Sequence, residues 1–244
     1  MSQVEIAHLV LKLLKIEPAY TIAIDRTEWQ FGTQWVNVLM LSVTYQSVSI
    51  PLFWTVSAAK GCSDNAERKA ILQKFIDDFG VESIRFVTAD REFCSKDWLE
   101  FLIANQIPYR LRIKANYQIT NVRGALVRAS RLCRTLKTGD RRELRGKRLL
   151  WNQSVLVAVC RKADGDNVPV VSNEQSGKIL LEFGERWKIE TLFGIWGFLP
   201  IPPKRTDKDF YVVDYIDRIF RPIFRFLLFG LPALHGYRRI MSVL

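Results

Sequence analysis

Three apolar, β-branched runs follow one another near the start of the chain, and the first of them leads into a carboxylate. The runs cover Thr21–Ile24, Trp35–Tyr45 and Val48–Val56, with short polar connections between them. Such runs predict an antiparallel meander of three strands. Asp25 follows the first run, and a carboxylate in line with a core strand is costly unless it is paired or holds a metal. A simpler alternative is an Asp that caps a turn.

Helical and strand patterns alternate after the meander. Asp64 is a predicted cap of a helix, and the strand-like run Ser83–Ala89 comes next and leads into Asp90. Ser95 is a predicted cap of a second helix, after which Pro108–Ile113 alternates as a strand does. The order βββ-α-β-α-β predicts an α/β fold in which helices pack on a mixed sheet.

A basic segment interrupts this rhythm. The formal net charge of the 244-residue chain is +11, and residues 121–150 hold ten Lys or Arg against two acids, a net +8. The predicted DNA-contacting residues within it are Arg128, Arg131, Arg134, Arg141, Arg142, Arg145, Lys147 and Arg148. Strand and turn signals over residues 119–173, among them a strand-like run Leu149–Val159, predict a β-rich insertion. Clustered charge of one sign is typical of a phosphate-binding surface, with a merely solvated surface as the alternative.

A helical pattern returns over Ser176–Ile195. Phe183, Arg186, Glu190 and Gly197 are spaced so that they fall on one helical stripe. Glu190 is the acidic member of that stripe, and it lies among apolar neighbours.

Three carboxylates on separate elements, namely Asp25, Asp90 and Glu190, suggest a metal site. Like charges cluster only at a cost unless divalent cations neutralise them. The chain has two histidines and four scattered cysteines, so a zinc site is disfavoured and oxygen ligands favour Mg²⁺ or Mn²⁺. Two such ions would suit an in-line phosphoryl displacement.

Three sequence blocks carry a resemblance to a known family. A-I-D-R-T-E-W-Q-F-G, T-A-D-R-E-F and R-W-K-I-E-T-L-F-G resemble the catalytic blocks of bacterial insertion-sequence transposases of the DDE class. They are most similar to the branch with a Tyr-Arg-Glu-Lys signature, insertion sequence family four. The resemblance covers residues 20–194 approximately, and it implies a ribonuclease-H-like fold with the β-rich insertion before the last catalytic helix.

The resemblance also implies roles for individual residues. Asp25, Asp90 and Glu190 would be catalytic metal ligands, and Arg186 would bind a phosphate near the transposon end. An ion pair between Arg186 and Glu182 is the alternative for that arginine. Phe183 stands where the signature has Tyr; it is a predicted DNA-binding residue, although a contact through a hydroxyl is lost there. Gly197 replaces the Lys of the signature.

The predicted division of the chain has five parts. They are a short helix (1–20), the first part of the catalytic core (21–118), the basic insertion (119–173), the catalytic helix (174–197) and a divergent tail (198–244). The resemblance stops after about residue 194, and we expect a truncated N-terminus and either a frameshift, a packing helix or a membrane-surface helix in the tail.

The predicted function is a DNA transposase that cuts insertion-sequence ends and joins the 3′-hydroxyl to target DNA. The resemblance implies a homodimer that binds transposon ends and target DNA. Free cysteines, short hydrophobic runs and the lack of a signal-peptide pattern favour a cytoplasmic protein without membrane partners. The resemblance implies that it is bacterial and nucleoid-associated. A catalytically inactive DNA-binding remnant is the main alternative, and a metal nuclease of the same fold is a third.

Overall fold

The computed structural model describes residues 2–31, 34–46, 48–57, 64–190 and 192. The helices are α1 (Gln3–Leu13), α2 (Asn65–Phe79), α3 (Lys96–Ala104) and α4 (Ile179–Gly184). The strands are β1 (Tyr20–Phe31), β2 (Gln34–Tyr45), β3 (Val48–Ser57), β4 (Ile84–Ala89), β5 (Tyr109–Arg112), β6 (Gln118–Thr120), β7 (Leu126–Arg128), β8 (Arg141–Glu143), β9 (Arg148–Leu150), β10 (Gln153–Arg161) and β11 (Asn167–Ser172). None of the described helices combines the length and apolar composition that a bilayer crossing requires.

Nine of the described strands form one mixed sheet in the order β3-β2-β1-β4-β5-β11-β10-β8, and β9 pairs with β10 beside this path. Strands β1, β2 and β3 are the predicted antiparallel meander. Strands β1, β4 and β5 run parallel, because α2 and α3 supply the crossovers that parallel neighbours need. The predicted mixed α/β architecture is therefore confirmed.

The register of β1 corrects one detail of the sequence prediction. Asp25 does not open a turn, because β1 continues to Phe31 and keeps its pairing with β2 as far as Gln34. The parallel pairing with β4 ends where Ile24 meets Ala89. Asp25 and Asp90 are the next residues of these two chain segments, so both carboxylates lie just beyond the end of this parallel pairing.

The two faces of the sheet have different partners, since successive side chains of a strand point to opposite faces. Ile24 of β1 and Leu111 of β5 belong to the main core. That core also includes helix residues Ala7, Val10, Leu11, Ile71, Leu72, Phe75, Trp98, Leu99 and Leu102. Asp25 and Arg112 alternate with these core residues and lie on the opposite face. A smaller cluster on that second face contains Ala158, Val168, Val170, Ile179 and Phe183, which brings α4 against the sheet.

Local hydrogen bonds set the helix boundaries that the sequence predicts. The Asp64 carboxylate accepts a hydrogen bond from the backbone N–H of Glu67 at the start of α2. The Ser95 hydroxyl accepts one from the Trp98 N–H at the start of α3. Gly80 ends α2 at a φ of 78°, a conformation that glycine adopts without steric cost.

The basic insertion is continuous with the main sheet, not set apart from it. Strand β11 pairs with β5, and β10 and β8 extend the sheet beyond β11. Only β6 and β7 form a sheet of their own among the described strands. The predicted single strand Leu149–Val159 is wrong, because Trp151 and Asn152 adopt φ values of 50° and 65° and connect β9 to β10 as a tight hairpin.

The late helical segment is interrupted. Helix α4 ends at Gly184, residues 185–186 form a turn, and residues 187–190 are helical again. The N–H groups of Glu185 and Arg186 bond to the carbonyls three residues before them, a tighter winding than an α-helix has. Gly184 is a weak helix former, which accounts for the break. The predictions for Gly197 and for residues 198–244 lie outside the described residues.

Candidate active site

Asp25 is the buried carboxylate of the second sheet face. The residue is 8% exposed, and its Oδ1 accepts a hydrogen bond of 2.8 Å from the backbone N–H of Arg26. Burial raises the pKa of Asp25 to about 6, although the Arg26 N–H and the Arg186 guanidinium act to lower it. The carboxylates of Glu190 and Glu92 act in the same direction as burial. An acid with this pKa is poised to gain or lose its charge near neutral pH.

Arg186 joins Asp25 to Glu190. Its Nη1 lies 3.3 Å from Asp25 Oδ2 and 2.7 Å from Glu190 Oε1, so the two carboxylates converge on one cationic nitrogen. The arginine is 4% exposed, and its guanidinium carbon lies 5.7 Å from the centre of the Phe183 ring. Arg186 therefore contacts both Phe183 and Glu190, the other two members of the predicted helical stripe, although the helix is interrupted after residue 184.

The predicted alternative for Arg186, an ion pair with Glu182, is not formed. Glu182 Oε2 accepts hydrogen bonds from Arg110 Nε at 2.6 Å and from the Ser176 hydroxyl at 2.8 Å. These bonds lower the pKa of Glu182, although its partial burial acts to raise it. The Arg110–Glu182 pair ties α4 to β5 and so helps to set the position of the helical segment that follows.

Asp90 has a different arginine. The pairing of β4 with β5 ends where Ala89 meets Leu111. Asp90 and Arg112 are the next residues of the two segments, and Arg112 Nη1 lies 3.6 Å from Asp90 Oδ1. Arg112 Nη2 also donates to Asp166 Oδ2 at 2.6 Å. Asp90 Oδ1 is buried and makes no hydrogen bond with any of the residues that the structure describes.

The described part of the chain contains no group of three or more His, Cys, Asp or Glu side chains arranged to hold a metal ion. The structure brings Asp25 and Glu190 together through Arg186, and it places Asp90, which follows the neighbouring strand β4, beside Arg112. The donor chemistry nevertheless suits Mg²⁺ or Mn²⁺, because these ions take carboxylate oxygens. Asp25 and Glu190 converge on the Arg186 guanidinium, and the buried Oδ1 of Asp90 has no hydrogen-bond donor among the described residues. A metal ion shared by Asp25 and Glu190 would have to displace that guanidinium.

Two buried arginines of β5 were not among the residues predicted from the sequence. Arg110 and Arg112 are 3% and 8% exposed, and they occupy alternate positions of a central strand. A charged residue at every second position of a buried strand indicates a polar row on one face, since buried charges are normally paired. That signal was present in the alternation Arg-Leu-Arg.

The basic segment is mostly exposed, as a DNA-binding surface requires. The exposed members are Arg128, Arg131, Arg134, Arg141, Arg142, Arg145 and Lys147. Arg148 differs, because it is 7% exposed and its Nη1 donates to the carbonyls of Gly146 and Lys147. Phe183 is 5% exposed within the smaller hydrophobic cluster. Neither Arg148 nor Phe183 is accessible for the DNA contact that the sequence suggested.

Comparison with known structures identifies a similar fold in the piggyBac transposase synaptic complex with hairpin DNA, determined by cryo-EM. The TM-score is 0.52 at 10% sequence identity, over 82% of this chain and 45% of that one. The chain thus corresponds to less than half the length of that transposase. Ciona intestinalis endonuclease V, in a complex with inosine-containing DNA, gives a TM-score of 0.39 at 9% identity, over 80% of this chain and 96% of that one.

Comparison with curated proteins gave no match. The family model described as "Transposase DDE domain" matches residues 17–198. This match includes Asp25, Asp90 and Glu190 together with the whole of the basic insertion. The chain belongs to the family of transposase DDE domains.

Proposed function

We propose that this protein is a DNA transposase that cuts insertion-sequence ends and joins the freed 3′-hydroxyl to target DNA. In the first reaction a water oxygen attacks phosphorus and the 3′-oxygen leaves. In the second, that 3′-hydroxyl attacks a phosphorus of the target strand, whose own 3′-oxygen leaves. In each reaction one P–O bond forms as another breaks: the first hydrolyses a phosphodiester, and the second exchanges one phosphodiester bond for another.

One observation carries the proposal. Asp25 is 161 residues from Arg186 along the chain, yet its carboxylate contacts Arg186 Nη1. The carboxylate of Glu190, four residues after Arg186, contacts the same nitrogen. Asp90 follows the strand beside β1. The three acids thus come from separated parts of the chain but belong to one face of the sheet and to the matched family region.

In this proposal Asp25, Asp90 and Glu190 hold Mg²⁺ or Mn²⁺. When bound, divalent ions supply activation of the attacking oxygen and stabilisation of the leaving oxygen. Burial raises the pKa of Asp25 to about 6, and a bound cation would favour the charged form of this carboxylate. Arg186 turns away from Asp25 and binds a phosphate near the transposon end, where its planar guanidinium can donate two hydrogen bonds.

The exposed cations of the insertion form the proposed surface for the DNA backbone. Seven of the predicted Arg and Lys side chains are exposed there, and cations of one sign at a surface bind phosphates independently of base sequence. The synaptic complex of the structural neighbour contains hairpin DNA, which is consistent with this assignment. We extend the proposal to a homodimer that acts on the nucleoid in the bacterial cytoplasm.

We also propose a finer family and fold assignment for the chain. We assign the chain to insertion sequence family four and to a ribonuclease-H-like core over residues 21–118 and 174–197, with residues 119–173 inserted. Phe183 and Gly197 depart from the branch signature, and the family match ends at residue 198. A frameshift after about residue 194 explains this loss of similarity. Reading the other frames of the gene for a Lys-containing continuation tests it, and the present tail in independent gene copies would contradict it.

The decisive experiment is a cleavage assay on DNA with candidate terminal inverted repeats, in Mg²⁺ or Mn²⁺. Wild type is compared with Asp90→Ala and with Asp77→Ala, which alters an exposed position of α2. The proposal expects cleavage by wild type and by the Asp77 variant, and none by the Asp90 variant. Equal cleavage by all three proteins would refute the assignment of Asp90.

A second candidate function is a DNA-binding remnant without catalysis. The observation that favours it is the Arg186 guanidinium between Asp25 and Glu190, which a metal ion must displace. The same assay separates the two functions. A remnant binds the DNA and leaves it uncut at every Mn²⁺ concentration.

A further inference from the structure

Arg112 lies between two carboxylates that belong to different parts of the fold. Its Nη1 is 3.6 Å from Asp90 Oδ1, and its Nη2 is 2.6 Å from Asp166 Oδ2. Asp90 follows β4 in the first part of the core, whereas Asp166 lies in the turn between β10 and β11 of the insertion. One guanidinium therefore connects the proposed active site to the basic insertion.

The geometry leaves one side of Asp90 available. Its Oδ1 is buried against Arg112, but the side chain as a whole is 26% exposed. The exposure consequently falls on the other atoms of the side chain. The contact with Arg112 is an ion pair without a hydrogen bond, and burial of Oδ1 beside the guanidinium leaves the second oxygen a limited range of directions, as a metal ligand needs.

Arg112 is itself held in place. The residue is 8% exposed on β5, and its backbone position pairs with Val170 of β11. The turn that carries Asp166 is closed by a hydrogen bond from the Asp166 N–H to Asp164 Oδ1 at 2.8 Å, with Gly165 at a φ of 83°. A closed turn restricts where the Asp166 carboxylate can lie, and Asp166 in turn restricts the guanidinium.

We propose that Arg112 is a positioning residue for Asp90 and that Asp166 acts through it. This inference rests on the proposed function, since it concerns how Asp90 is oriented to bind a divalent ion. The role requires the planar fork of arginine, because a lysine ammonium is a point charge on a flexible stem and does not face two carboxylates in a defined geometry. The insertion then contributes to the site through Asp166, in addition to any contact with DNA.

The test is Mn²⁺ binding to the full-length protein, measured by the electron paramagnetic resonance signal of free Mn²⁺. The variants are Arg112→Lys, Arg112→Met, Asp166→Asn and the double variant Arg112→Met/Asp166→Asn. Asp90→Ala is the reference, and Lys96→Met, in an exposed ion pair on α3, is the control. Substitution of a residue that orients a metal ligand typically weakens metal affinity by about tenfold or more. We expect Arg112→Lys and Asp166→Asn each to weaken binding about tenfold, with wild-type affinity in the control.

Two further results separate positioning from simple electrostatics. If the guanidinium acts only by its charge, Arg112→Lys should bind Mn²⁺ with wild-type affinity and Arg112→Met should bind it more tightly. That pair of results would overturn the proposal. If Arg112 positions Asp90, Asp166→Asn should have no additional effect on Mn²⁺ affinity in the Arg112→Met background. Asp166 is 41% exposed at its side chain, so its Asn variant carries the test even if an Arg112 variant fails to fold.

The reference variant distinguishes the two levels of inference. Loss of an Mn²⁺ site in Asp90→Ala, with unchanged binding in Arg112→Lys and Asp166→Asn, refutes the positioning role alone. Unchanged binding in Asp90→Ala refutes both the role of Asp90 and the inference built on it.

Discussion

Replacing Asp25 by Asn should change how stability depends on pH. The carboxyl is buried, and its pKa in the folded protein is raised from 3.8 to about 6, chiefly by desolvation. Between these two values the native state binds more protons than the unfolded state. Stability contributed by the neutral acid is therefore fully present below pH 3.8 and is lost as the pH rises through 6.

The size of the effect follows from the shift. A difference of roughly two pKa units corresponds to about 3 kcal/mol of unfolding free energy, of which about 2 kcal/mol falls between pH 4.5 and 7.5. Asn cannot ionise, so the Asp25→Asn variant does not undergo this loss. Relative to wild type, the variant should gain about 2 kcal/mol in unfolding free energy across that interval.

The measurement is urea unfolding of both proteins at several pH values between 4.5 and 7.5, with a chelator present. The difference at the lowest pH serves as the internal control, because it contains the packing cost of the substitution with the smallest electrostatic contribution. Arg186→Gln provides a matched variant. Since Arg186 lowers the pKa of Asp25, its removal should move the wild-type loss of stability to higher pH. Parallel curves for wild type and Asp25→Asn would refute the reasoning.

Other predictions concern the core, the connections and the DNA surface. Phe75→Ala should lower the unfolding free energy by about 3–5 kcal/mol in urea unfolding, since Phe75 is fully buried, while the exposed Gln73→Ala should change it by under about 0.5 kcal/mol. Asp64→Ala removes the cap of α2 and should cost about 1 kcal/mol by the same measurement. Asn152→Val places a β-branched residue at a φ of 65° and should lower stability by about 1–3 kcal/mol; no change would argue against the hairpin. Reversing Arg141, Arg142 and Arg145 to Glu should weaken DNA binding and flatten its salt dependence in titrations, whereas equal slopes would exclude this surface from phosphate contact.

Much of the fold is predictable because it depends on local patterns. The β-branched runs before Asp25 and Asp90, the capping residues Asp64 and Ser95, and the alternation of strands and helices all appear at the predicted places. Periodicity within a segment depends on the backbone geometry of that segment, so it can be recognised without knowing the segment's partners. The predicted strand Leu149–Val159 failed for a local reason that was visible, since Asn readily adopts the left-handed conformation of a hairpin turn.

Pairing between distant residues is less predictable. The ion pair of Arg186 with Asp25 spans 161 positions of the chain, and the choice of Arg112 as the partner of Asp90 depends on the register between β4 and β5. A one-residue change of register would turn every side chain of a strand to the other face. The burial of Arg148 and Phe183 depends equally on which element packs over them.

The sequence by itself determined the three carboxylate-bearing segments, the order of the strands and helices, and the basic segment that belongs to the DDE domain. Only the tertiary structure decided that Asp25 and Glu190 share the Arg186 guanidinium, that Asp90 is held by Arg112, and that the insertion extends the central sheet. The physical reason is that composition and periodicity act within a segment, whereas charge pairing and desolvation depend on how separate segments are brought together, up to 161 residues apart for Arg186 and Asp25.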